Sequence, residues 1–497
     1  MALKGKRTSA AIVTLVLSIV ACWMLGADPT TQLGGKATSA TNSLPTAPLA
    51  VSGATSSLAA PTQSDGKLKL VVVLFRHGVR APLETFGKNA GEHSKDPWPN
   101  LMAWGVDRWG DLTPQGSIAV KALGAYYGSY YSKNASPNAF KAYLWADSQD
   151  QRAIATAHAL SKGMEGAGVN APVDYVKPAG TTDPLFHPFT ANCGTPSQDK
   201  LNGIVASIKA KCPEWQDSFK DQLGRLDQDV LACKNECGDN PCEPLNCVSC
   251  FKLPSPTSTP TTRPASPIKW NGPFSYASSA TEAFLLEYAN RMNPAWGRVK
   301  VDEPGSPQLA YLLQLHEFYF DKTEREPYLA GILGANLVRE VLDQLNRKAG
   351  LKSPIDGKCP RANPDSQFVG LVGHDTNLAN VQTLLNVKWN FDDARLPPDM
   401  LGLPANDALP AGALVFELRQ TSQSDYNVRI QYVTQSPNQI RNAPQQADPF
   451  RVKTTCGDTK ESPCEMSLRD FNQLVTNAIQ NYKPFLSRCR DGKHVCP

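Results

Sequence analysis

Two arginines and a histidine fall together in Arg76-His77-Gly78-Val79-Arg80, and Ala81-Pro82 closes the run. A guanidinium presents a planar fork of donors that matches the oxygens of a phosphate. An imidazole between two such forks can attack phosphorus and carry the phosphoryl group covalently. These residue types describe an anion clamp with a nucleophile inside it. A second set, His374-Asp375-Thr376-Asn377, supplies what the first lacks. An ester needs a proton for its leaving oxygen and then an activated water, and a carboxyl beside the phosphate can do both in turn. Asp375 is therefore the candidate acid and His374 a further donor to the phosphate, with Thr376 placed among the substrate-binding residues.

Both sets follow apolar runs. Residues 71–75, Val-Val-Val-Leu-Phe, read as a strand buried on both faces, and residues 368–373 read as another. Such strands belong to parallel sheets, whose ligands bind at the carboxyl ends. Between them, Thr113-Pro114 has the form of an N-cap followed by Pro at the first helical position. It leads into a helical spacing at Ile118, Ala122, Leu123, Tyr126 and Tyr127. Residues 142–146 predict a third strand, 147–151 its exit loop and 152–162 the next helix. Arg152 thus lies at another strand end, near a helix N-terminus where backbone N–H groups favour an anion. Gly78 is expected to clear space for a ligand, and Pro82 to fix the backbone as it leaves the strand. Helices are expected at 201–211, 215–233, 280–293, 309–319, 329–348 and 378–385. His158 and His316 fall inside helices as packing or surface residues, and His187 is a weaker candidate for lining the cleft.

Arg-His-Gly-x-Arg-x-Pro is matched here without a mismatch, and on that motif the chain resembles the histidine acid phosphatases. The resemblance looks closest to the bacterial periplasmic phytases and glucose-1-phosphatases. It runs from about Lys69 onward through Asp183-Pro184-Leu185-Phe186-His187-Pro188, Trp296-Gly297-Arg298-Val299 and Gly373-His374-Asp375-Thr376-Asn377-Leu378-Ala379-Asn380. It implies an α/β fold: a large domain with a mainly parallel central sheet flanked by helices, like the phosphoglycerate mutases, plus a small inserted α-domain. It also implies a phosphomonoesterase working through a phosphohistidine on His77, with Arg152 as the third phosphate-clamping arginine. The substrate implied is an inositol phosphate, with glucose 1-phosphate or a range of sugar phosphates as the alternative. Two positions depart from the pattern: Ala153 stands where the family has Thr, and Leu83-Glu84 where the phytases have Thr-Lys. A catalytically silent phosphoester-binding protein is the rival reading, and the intact His77 and Asp375 argue against it. No cofactor or metal is expected, because guanidiniums can stabilise the phosphoryl charge that magnesium stabilises in kinases.

The amino terminus carries Lys4, Lys6 and Arg7 ahead of an apolar stretch at 10–25, the form of a secretory signal ending near Ala27. Ile19-Val20-Ala21-Cys22 also resembles a lipoprotein cleavage site, which makes Cys22 a candidate lipid anchor. Residues 28–66 are poor in aromatic and charged side chains and read as a flexible spacer. The expected division is then 67–192 with 300–497 as the catalytic domain and 193–299 as the inserted α-domain, with a Cys-rich and Pro/Ser/Thr-rich excursion. The net charge of +4 falls to +1 without the three basic signal residues, and no basic run suggests a nucleic-acid partner. The expected partner is a small phosphomonoester. Thirteen cysteines behind a secretory signal point to an exported protein with disulfides. Cys456 and Cys464 are expected to pair. The cluster Cys233, Cys237, Cys242, Cys247 and Cys250 reads as a disulfide-knotted loop, its spacings being irregular for zinc. The resemblance suggests that Cys193 reaches Cys489 or Cys496.

Overall fold

The computed structural model describes residues 66–89, 93–133, 140–233, 244–250, 266–268, 270–301, 308–352, 365–444, 448–457, 463–483 and 485–486. All belong to one compact unit, Pro61–Pro497. The signal, Cys22, nearly all of the spacer, Cys237, Cys242, Cys489, Cys496 and most of the Pro/Ser/Thr-rich loop lie outside the described residues.

The strands are β1 (Lys67–Arg76), β2 (Ala142–Ala146), β3 (Val173–Asp174), β4 (Phe368–Gly373), β5 (Val387–Trp389), β6 (Ala413–Gln420), β7 (Tyr426–Thr434), β8 (Phe450–Val452), β9 (Thr454–Cys456) and β10 (Cys464–Ser467). The α-helices are α1 (Glu84–Asn89), α2 (Leu101–Trp104), α3 (Pro114–Ser132), α4 (Gln151–Gly166), α5 (Gln198–Ser218), α6 (Lys220–Arg225), α7 (Pro273–Ala289), α8 (Leu309–Lys322), α9 (Pro327–Lys348), α10 (Asp375–Leu385), α11 (Pro437–Asn442) and α12 (Leu468–Ile479).

The central sheet has the order β10-β7-β6-β1-β4-β2-β3, with β8 also paired to β7. Strands β1, β2, β3, β4 and β7 run one way and β6, β8 and β10 the other, so the sheet is mainly parallel, with an antiparallel flank. Successive side chains of β1 point to opposite faces. Val72 and Leu74 enter a core shared with α7, α8, α9, α10 and α12, while Val71, Val73 and Phe75 enter another shared with α3 and α4. Helices thus cover both faces, which is why the strand is unbroken apolar from Leu70 to Phe75, its two lysines lying at the more exposed start. The parallel register pairs Arg76 with Gly373, so His77 and His374 leave the sheet side by side.

Thr113 caps α3 by accepting from the Gly116 N–H, with Pro114 at the first position, as the sequence predicts. Helices α3 and α4 then meet backbone to backbone. A Cβ on Gly124 would lie 2.3 Å from the Leu160 carbonyl oxygen, and one on Gly163 would lie 2.0 Å from that of Lys121. Gly78 serves the same face, which corrects its expected role. A Cβ there would meet Val120 Cγ2 at 2.7 Å, so its missing side chain makes room for α3 rather than for a ligand.

Other expectations shift at their edges. Helix α7 starts at Pro273 and ends at Ala289, where 280–293 was expected, because Gly272-Pro273 opens it; α5 runs on through Pro213 to Ser218 from a Ser197 cap. Helix α10 begins at Asp375 itself, with the Asn377 side chain accepting from the His374 N–H. Cys456 pairs with Cys464 as expected. Cys250 pairs with Cys212 of α5, and Cys193, Cys233 and Cys247 are disulfide-bonded too. These bonds fit an exported protein. No helix among the described residues is long and apolar enough to cross a membrane.

Candidate functional site

Arg76, the last residue of β1, is 1% exposed. Its Nη2 pairs with Glu282 and lies 2.9 Å from Asp375 Oδ2, and its Nη1 donates to the Ala408 carbonyl. His77 follows. Its Nδ1 lies 2.8 Å from the Gly78 carbonyl, which can only accept, so the proton sits on Nδ1 and the lone pair on Nε2. Among the described residues Nε2 has no hydrogen-bond partner. Burial lowers the pKa of His77 well below its ordinary value, and Arg152, His374, Arg76 and Arg80 lower it further. The lowered pKa favours the neutral ring, with its lone pair on Nε2. Gly78 N–H donates to Thr156 Oγ1 of α4 at 3.0 Å, tying the motif to the helix that carries Arg152.

Arg80 Nη2 bonds Glu282 Oε2 at 2.9 Å, and Arg152 pairs in bidentate fashion with Asp150 at 2.9 and 3.1 Å. The Nε–H groups of Arg76, Arg80 and Arg152 are all buried without a partner among the described residues. His374, the N-cap of α10, brings its ring centroid 5.4 Å from that of His77. Its Nε2 lies 2.8 Å from Asp147 Oδ2 and 3.2 Å from Asp150 Oδ2. Burial and Arg152 pull the His374 pKa down, but the hydrogen bonds to Asp147 and Asp150 outweigh them and raise it. Asp375 Oδ1 accepts from the Thr376 N–H at 2.8 Å. Burial raises its pKa, but Arg76 and Arg80 hold it far below the usual carboxylate range.

The six expected residues other than Thr376, namely His77, Asp375, Arg76, Arg80, Arg152 and His374, are thus gathered at the carboxyl ends of β1, β2 and β4. Thr376 sits beside them in the first turn of α10, holding Asp375 through its backbone. Four further residues complete the site. Glu282, from α7, bridges Arg76 and Arg80. Nothing in its sequence context marks it, since α7 carries a second glutamate, Glu287, and several hydroxyl residues. Asp147, at the end of β2, is fully buried and accepts from both His187 and His374 at 2.8 Å. Asp150 joins Arg152 to His374. His187 is held in place by its own segment: Asp183 takes the Trp145 indole N–H at 2.7 Å, and the Asn377 side-chain amide donates to the Phe186 carbonyl at 3.1 Å. His316, expected at a surface or in packing, is buried and bonded to Ser278. His158 is exposed.

Asp147, Asp150, His187 and His374 bring four potential metal-donor atoms within 4.8 Å of one another. Both imidazole Nε2 atoms already face the same Asp147 oxygen at hydrogen-bond distance, so protons hold this set together. Beside Arg152 opens a cavity of about 520 Å³ lined by Glu84, Asp107, Arg108, Trp109, Asp111 and Asp150, among others.

An imidazole ringed by guanidiniums at the ends of parallel strands, with a carboxyl next to it, is an arrangement suited to phosphoryl transfer. The chain belongs to the histidine phosphatase superfamily (branch 2), whose model matches residues 67–433, and it is a phosphomonoester hydrolase. It is 29% identical over 441 residues to "Phytase AppA" of Escherichia coli, covering 84% of this chain and 93% of that one. It is 26% identical over 411 residues to a glucose-1-phosphatase of Salmonella typhimurium, covering 80% and 88%. The structure of Hafnia alvei phytase in complex with tartrate superposes with a TM-score of 0.69 at 26% identity, over 84% of this chain and 98% of that chain.

Proposed function

We propose that this enzyme is phytase-like, hydrolysing inositol phosphates through a phosphohistidine. Arg76, Arg80, Arg152 and His374 hold the phosphate with the help of Thr376. His77 Nε2 attacks phosphorus, the N–P bond forms, and the ester P–O bond breaks. Asp375 gives its proton to the departing alkoxide. The Asp375 carboxylate then takes a proton from water, whose oxygen attacks the phosphohistidine and releases phosphate. In the unliganded site Asp375 is ionised, because the arginines hold it so. A phosphate dianion between the same arginines adds negative charge beside it and raises its pKa toward the working range, so the substrate itself prepares the acid.

The observation that carries this reading is that, among the described residues, His77 Nε2 has no hydrogen-bond partner and each of three neighbouring guanidiniums has an unmet buried N–H. An oxyanion bound there can meet that demand. Similarity to the phytases supports the inositol phosphate reading. A second reading, a sugar-phosphate phosphatase, is favoured by the cavity beside Arg152. Arg108 and Arg152 are committed to Asp111 and Asp150, and Glu84 and Asp107 add carboxylates that repel a polyphosphate and accept from sugar hydroxyls. We also infer export to the periplasm or exterior, with Cys22 as a candidate lipid anchor.

The test is rapid quenching during turnover. An acid-labile, base-stable phosphoryl group is expected on the wild-type chain and absent from His77→Ala, which should keep phosphate binding through the arginines. Substantial turnover by His77→Ala would remove the covalent mechanism.

A further inference from the structure

Arg76 and His77 rest on the loop that runs from Asp407 into β6. Arg76 Nη1 donates to the Ala408 carbonyl, the Arg76 N–H to the Gly412 carbonyl at 2.9 Å, and the Ala411 N–H to the His77 carbonyl at 2.9 Å. Asp407 opens this loop and is 1% exposed. Its carbonyl is fixed by the Trp389 indole at 2.9 Å, yet among the described residues its Oδ2 has no hydrogen-bond partner. That side chain faces His316 and Glu317 of α8, and one polar atom from each of the three residues lies within 4.8 Å of the others. Glu317 takes Arg325 Nη1 at 2.6 Å, and His316 Nδ1 lies 2.9 Å from Ser278 Oγ. Arg325 is spent elsewhere too, on Asp321, on Gln382 of α10 at 3.0 Å and on the Asn406 carbonyl at 2.7 Å.

The charges around Asp407 come from every side: Arg76 of β1, Arg325 beyond α8, Glu282 of α7 and Asp375 of α10, with the Tyr432 hydroxyl of β7 close by. Asp407 and Glu317 each bring a carboxylate oxygen to this dry region within 4.8 Å of the other, with His316 beside them, and Arg325, the guanidinium paired with Glu317, is shared with Asp321. Two neighbouring carboxylates out of water do not both ionise. We propose that Asp407 and Glu317 carry a single proton between them in the active enzyme, and that this proton leaves Arg76 free to hold the substrate phosphate. Asp407 is then a positioning residue acting through Arg76. The inference rests on the reading of Arg76 as a phosphate ligand. Burial, together with Glu282 and Asp375, raises the Asp407 pKa to about 6 against the pull of Arg76 and Arg325, and burial and Asp407 raise that of Glu317 to about 7 against Arg325. Loss of the shared proton puts a second negative charge behind Arg76, draws the guanidinium back and weakens its hold on phosphate.

The pH dependence of KM for an aryl phosphate, and of the Kd for inorganic phosphate, tests this from about pH 5 to about pH 8. In the wild type both constants are expected to rise on the alkaline side, by up to about tenfold per pH unit for one ionisation. In Asp407→Asn and in Glu317→Gln that rise should disappear, and either variant alone suffices if the other does not fold. The infrared difference spectrum over the same range should show one protonated-carboxyl band in the wild type that is missing from Asp407→Asn, while the bands of Glu324 and Glu287 remain. Glu324, half-buried near Asp375 and hydrogen-bonded to Asn380, has its pKa raised to about 7 by desolvation and by Asp375 and provides the control. A rise that survives in Asp407→Asn but vanishes in Glu324→Gln would overturn the proposal, as would a wild-type spectrum without the carboxyl band. The phosphate and infrared measurements need no turnover, so they stand even if the phosphohistidine route fails.

Discussion

Removing the charge of Glu282 should make the enzyme cling to its product. Glu282 bridges Arg76 and Arg80, the same two guanidiniums proposed to hold the phosphate. A carboxylate and a phosphate on one guanidinium lie roughly 6 Å apart. At an effective dielectric constant of about 20, their repulsion is on the order of 3 kcal/mol per unit charge. Screening and rearrangement reduce that, so Glu282→Gln should lower the Ki of inorganic phosphate by about tenfold to a hundredfold, at about 1.4 kcal/mol per tenfold. Turnover should fall through slow product release. The same substitution leaves two buried guanidiniums short of a counter-charge and should cost about 3–5 kcal/mol of stability. Saturating phosphate should restore roughly 2.7 kcal/mol at a hundred times its Kd. The assays are competitive inhibition by phosphate and thermal unfolding with and without it. An unchanged or weaker Ki would refute the idea that Glu282 and the substrate compete for the same forks.

Asp375→Asn should slow alkyl phosphates by about 10²–10⁴ while sparing aryl phosphates, whose leaving groups need less protonation; equal losses on both would assign Asp375 a structural role. Glu84→Lys should lower the KM for phytate several-fold, more so at low salt, since each close charge contributes about 1 kcal/mol in a solvated cleft. A selective loss on glucose 1-phosphate would instead favour the sugar-phosphate reading. Glu287 is buried in α7, where burial lifts its pKa to about 8 despite a hydrogen bond from the Ala295 N–H. A raised carboxyl pKa gives stability that is whole below the unfolded value and lost as pH climbs through the folded one. Thermal stability should therefore fall between about pH 4.5 and 8, by up to about 1.4 kcal/mol per pH unit, and Glu287→Gln should flatten the slope. A slope unchanged in that variant places the loss in other groups.

The legible part of the site is the part encoded locally. Arg76, His77 and Arg80 stand directly after a five-residue apolar strand, His374 and Asp375 directly after another, and Thr113-Pro114 announces α3 by capping chemistry that needs no tertiary partner. Glu282 was not legible, because its two partners lie some two hundred residues away and nothing near it differs from an ordinary helix. Asp147 and Asp150 read as exit-loop residues, since what makes them functional is His374 arriving from another strand. The antiparallel flank escaped for a related reason. From Tyr426 to Tyr432 of β7 buried residues alternate with half-buried ones, Val428, Ile430 and Tyr432 being buried, a weaker signal than the unbroken run of β1. Gly78 was misjudged because a missing side chain looks the same in sequence whether it admits a ligand or a helix.

The contact between α3 and α4 bears on how this enzyme can change. Where two helices touch through their main chains, there is no layer of side chains to repack, and hence no slack with which to nudge Arg152. Any side chain at Gly124 or Gly163 would wedge the helices apart and carry the third arginine with them. The rim is built otherwise: Glu84 and Asp107 are exposed on short, separately anchored segments. Preference for one alcohol over another can therefore drift at the mouth of the cleft, while the machinery that recognises phosphate stays locked to its backbone. The fold divides what can vary from what cannot, and the dividing line passes between Arg152 and the cavity beside it.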